Sequence, residues 1–69
     1  MPLTIGQRVR LITTGELGIV VWLWHDPDID ALDAYVAFFG TAWPTQDRVQ
    51  IPYILRYAAM SLEPVDVVP

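Results

Sequence analysis

The run from Gly18 to Asp26, GIVVWLWHD, constrains the fold of this chain more than any other stretch. It opens on a glycine, closes on Asp26-Pro27, and holds aliphatic and β-branched residues with two tryptophans, which favours a strand over a helix. Strand side chains alternate between faces. Ile19, Val21, Leu23 and His25 are therefore expected on one face, and Val20, Trp22 and Trp24 on the other. Both faces are apolar. A small single-sheet protein needs one apolar face for its core, so the second has to be covered by another copy of the chain or by a ligand.

The flanking segments read as further strands. Gln7 to Thr13 sets Val9 and Leu11 between arginines, the pattern of a half-buried strand. Gly15 and Gly18 give the connection to the next strand the chemistry of a tight turn, so the first two strands form an antiparallel hairpin. Gly18 is expected to hold a turn or bulge conformation that a side chain would bar. Asp26 to Asp33 carries four aspartates and reads as a solvated loop, in which Ile29 and Leu32 allow one helical turn capped by Asp28. A third strand, Ala34 to Phe39, has Val36 and Phe38 on one face and Tyr35, Ala37 and Phe39 on the other.

A second loop, Gly40 to Asp47, carries Trp43 beside Pro44. Arg48 to Ile51 is expected to be a fourth strand, stopped by Pro52. Pro52 to Tyr57 suits a single 3₁₀ turn, and Ala58 to Pro64 returns as a fifth strand. The core predicted by alternation is Val9, Leu11, Ile19, Val21, Leu23, Val36, Phe38, Val49, Ile51 and Leu62.

Sixty-nine residues make one domain, spanning 1–69, with too little chain for a large core. Domains this small usually need disulfides, a metal or oligomerisation as a staple. The chain has no cysteine and one histidine, so neither a disulfide nor an imidazole zinc cluster is available. A homo-oligomer, dimer or tetramer, is the staple that remains. The net charge of −4, with four arginines and no lysine, argues against nucleic acid, whose phosphates need neutralising. No apolar run reaches the roughly 18 residues of a membrane span. The N-terminus also lacks the pattern of a signal peptide. The expectation is a soluble cytoplasmic protein with no cofactor.

Candidate chemistry is sparse. His25 and Asp26 adjoin the aspartate-rich loop, but no serine or threonine completes a nucleophile–base constellation, so a satisfied strand-end histidine is expected. Asp26, Asp28 and Asp30 resemble the start of a calcium loop. That loop needs glycine at its sixth position and glutamate at its twelfth, where this chain has Ala31 and Ala37. Arg8, Arg10, Arg48 and Gln50 could together make a small anionic site, but arginines among excess carboxylates are expected to be ordinary paired surface charge. The strongest signal is the aromatic set Trp22, Trp24, Tyr35, Phe39 and Trp43, joined on the outer face of the second strand by Val20. Other residues already fill a core, and Trp and Tyr combine apolar area with a polar handle, so these six form a candidate oligomer, partner or ligand interface.

Five short strands, an acidic loop after the second and a 3₁₀ turn before the fifth resemble an SH3-like small barrel, an all-β fold. Gly6 to Arg10, followed by Gly15 to Val21, resembles the G-x-x-V-x … G-x-x-G-x-V pattern of KOW-type barrels. A narrower resemblance is to the type II, mobile-element-borne dihydrofolate reductases, SH3-like barrels that act as tetramers. Their G-x-R-V-R opening is similar to Gly6 to Arg10, and their G-x-I-V-x-W strand to Gly18 through Trp22. Their active-site V-Q-I-Y segment is similar to Val49-Gln50-Ile51, with Pro52 standing where the family has tyrosine. The resemblance implies a pore-type site at Gln50, Ile51 and Tyr53. The family's lysine has no counterpart here, so fold and assembly carry over more readily than reductase chemistry. Three readings follow: a non-catalytic binding and assembly module, a pore-type enzyme, and a KOW-like nucleic-acid module.

Overall fold

The computed structural model describes residues 3–45 and 51–65. Among these the protein is all-β: β1 (Arg8–Leu11), β2 (Leu17–Asp26), β3 (Ala31–Gly40), β4 (Tyr53–Ala58), a 3₁₀ turn (Ala59–Ser61) and β5 (Leu62–Pro64). The five strands form one antiparallel sheet in the order β4-β3-β2-β1-β5, which is not closed into a barrel.

Local chemistry sets the turns. Gly15 takes a positive φ of 78°, and its N–H donates to the Leu11 carbonyl at 2.8 Å, closing the β1–β2 hairpin. The β2–β3 connection is tighter than the sequence implies. Ala31, Leu32 and Asp33 pair with Asp26, His25 and Trp24, so only Pro27 to Asp30 are left to make the turn. No helical turn forms there. The Asp26 carboxylate accepts the Asp28 N–H at 2.9 Å, a local side-chain turn in which Asp26, and not Asp28, does the capping.

The second half of the chain departs from expectation. Tyr53 to Ala58 is a strand paired along β3, not a 3₁₀ turn. Tyr53, Leu55 and Tyr57 alternate with Ile54 and Arg56, and this aromatic and aliphatic period of two prevails over the proline that precedes it. The 3₁₀ turn comes later, at Ala59–Ser61, and β5 shrinks to three residues. Of the strand expected at 48–51, only Ile51 lies within the described residues; it is not in a strand and is 92% exposed.

The core lies on one face: Val9 and Leu11 of β1, Val20 of β2, Ala34, Val36 and Phe38 of β3, Leu62 of β5, and Leu3 ahead of β1. Val20 is 1% exposed and Val21 38%, the reverse of the alternation expected from sequence. The cause is a β-bulge. Val20 pairs with Val36 and Trp22 pairs with Tyr35, leaving Val21 as an extra residue between two consecutive pairs of the ladder. Before the bulge the core side of β2 is Gly18 and Val20, and after it the half-buried Leu23. Ile19, expected in the core, instead lies half-buried on the opposite face between Arg8 and Ala37.

Candidate functional site

The face of the sheet away from the core carries the aromatic cluster. Trp22 on β2 stands opposite Tyr35 on β3, which stands opposite Arg56 on β4, so one row crosses three strands. Trp24 flanks this row two residues along β2, and Ile54 flanks it along β4. The bulge adds Val21 to the same side. Together these six residues line an open depression of about 400 Å³. Trp22 is 58% exposed, Trp24 42% and Ile54 59%, a concentration of large apolar side chains unusual on a monomer surface.

The polar groups here are mainly donors: two indole N–H groups, the Tyr35 phenol and the Arg56 guanidinium. Arg56 lies 3.8 Å from the Asp33 carboxylate at the rim, a solvent-screened pair with little energetic weight. No serine, cysteine or histidine lines the depression. The arrangement can bind an apolar or aromatic surface and orient it through a few hydrogen bonds.

The structure separates the six interface residues read from sequence. Trp22, Trp24 and Tyr35 come together in the depression. Phe39 and Trp43 form a second cluster, with ring centroids 6.0 Å apart and the Arg8 guanidinium 5.1 Å above the Trp43 ring. Val20 is a correction: it belongs to the core because the bulge reverses the facing of β2. Val21, Ile54 and Arg56 were missed. Strict alternation hid the first, and reading β4 as a turn hid the other two.

Of the pore-type residues, Gln50 lies outside the described residues, and Ile51 is exposed ahead of β4. Tyr53 sits on the core side, stacked on Phe38 at 5.8 Å, with its hydroxyl donating to the Glu16 carboxylate. It is thus on the opposite face from the tryptophan depression. His25 Nε2 lies 2.7 Å from Asp30 Oδ1 across the β2–β3 turn, both side chains exposed. Among the described residues no three His, Cys, Asp or Glu side chains cluster as metal ligands would, and no helix is long and apolar enough to cross a membrane.

Comparison with family models, with curated proteins and with solved structures finds no match to this chain.

Proposed function

We propose that this chain is a non-catalytic binding and assembly module, cytoplasmic and SH3-like in fold, that self-associates as a dimer or tetramer. Its aromatic outer face is the surface offered to a second copy and to a protein or small-molecule partner. The observation that carries this reading is the depression walled by Val21, Trp22, Trp24 and Tyr35, apolar and open on a sheet whose other face already holds the core. The strand order, with a 3₁₀ turn directly before β5, supports the SH3-like assignment.

Trp22→Glu and Trp24→Glu test the reading, because each places a charge in the proposed contact without touching the core. Both variants are expected to keep a β-type circular dichroism spectrum and to give a lower molar mass than the wild type in light scattering. Variants that fold and retain the wild-type mass would remove the outer face from the assembly.

A further inference from the structure

The two edges of the sheet differ. β5 has three residues; one is Pro64, which has no N–H to offer, and another is Glu63, held by Arg10. Such an edge is blunted against further pairing. β4 has six residues, no proline and one charge, and among the described residues it pairs only with β3. Its outer row of backbone N–H and C=O groups is complementary to another extended strand. Its core-side chains are also incompletely covered. Tyr53 is 46% exposed and Leu55 44%, while their cross-strand neighbours Phe38 and Val36 are at 1% and 0%.

We propose that two copies of this chain pair β4 against β4, antiparallel, about a two-fold axis at Leu55. The sequence around Leu55 reads Tyr-Ile-Leu-Arg-Tyr and is nearly symmetric. With the axis there, the two Leu55 side chains meet on the core side, flanked by two cross-strand pairs of Tyr53 with the second copy's Tyr57. On the outer face each Arg56 lies beside the second copy's Ile54. Moving the axis to Arg56 sets arginine against arginine, a destabilising like-charge pair, and moving it to Ile54 brings Pro52 into the ladder. Because β5 is blunted, a head-to-tail filament has no second edge to use, and the contact closes as a dimer. Ile54 and Arg56 also line the outer depression, so pairing places the two depressions side by side in one longer cleft. This inference rests on the self-association proposed above but uses a different surface from the tryptophan face.

The chain has no cysteine, so single-cysteine variants report the contact cleanly. Directly opposed residues of antiparallel strands have Cβ atoms about 4.5–5.5 Å apart, close to disulfide range. Under mild oxidation Leu55→Cys is expected to cross-link far faster than Met60→Cys, which sits exposed on the 3₁₀ turn. In an equimolar mixture, Ile54→Cys and Arg56→Cys chains are expected to give mixed disulfides in preference to either homodimer. This second probe uses two exposed outer positions and stands even if Leu55→Cys fails to fold. Equal rates for Leu55→Cys and Met60→Cys, or no preference for the mixed species, would overturn the edge contact. Repeating the Leu55→Cys reaction with Trp24→Glu added separates the two surfaces. Cross-linking that persists supports the edge alone. A Leu55→Cys chain that stays uncross-linked while Trp24→Glu dissociates the assembly leaves the outer face standing and sinks the edge.

Discussion

Gly18 shows how one missing side chain fixes the approach of two strands. A Cβ at this position would run into Val36 Cγ1 and come within 2.9 Å of the Ala37 carbonyl oxygen, with Phe38 Cδ1 at 3.1 Å. The glycines with positive φ are Gly6, Gly15 and Gly40, so what Gly18 requires is space and not a left-handed backbone. Gly18→Val should therefore destabilise the fold by about 1–3 kcal/mol, the usual cost of overpacking. Gly18→Ala should move the same way by less. A denaturation midpoint unchanged in Gly18→Val would show the glycine to be incidental. The sequence marks Gly18 as special by its place ahead of an apolar run. The reason for it depends on which β3 residues lie alongside, and pairing is not written in one strand.

At the scale of elements, β2 is organised by its bulge. Val20 and Val21 are chemically identical, yet one is in the core and the other on the rim of the depression. Val20→Glu buries an unpaired charge and should cost about 3–5 kcal/mol, enough to unfold a small domain. Val21→Glu changes a position exposed in the single chain and, compared under dissociating dilution, should stay within about 0.5 kcal/mol of wild type. Equal losses in thermal or chemical denaturation, or the reverse order, would show that the ladder runs without the bulge. The strands β1 to β3 and their hairpin order were legible because β-branched and aromatic residues alternate there between glycine and aspartate punctuation. The bulge was not legible, since one extra residue leaves the run apolar on both sides and changes only the facing. β4 was misread as a turn although Tyr53, Leu55 and Tyr57 alternate with Ile54 and Arg56. The segment is too short for an α-helix, and its period of two, which begins only after Pro52, is what makes it a strand. Trp22, Trp24 and Tyr35 lie on the outer face that alternation assigns them, whereas Val20 follows the bulge into the core.

For the whole molecule, size and surface point the same way. A chain of 69 residues builds a core from a few aliphatic side chains and Phe38, and has no disulfide to hold it. Against that small core it displays Trp22, Trp24, Ile54 and Leu55 to solvent, on the outer face and along the β4 edge. Burying apolar surface contributes about 25 cal/mol per Å², so covering the two tryptophans of each copy adds several kcal/mol to assembly. Folding and association are then linked, and the melting temperature of the wild type should rise with protein concentration. The most direct test is the molar mass of the wild-type chain by light scattering at tens of micromolar. A dimer or tetramer is the predicted result, and a monomer that persists across that range contradicts self-assembly.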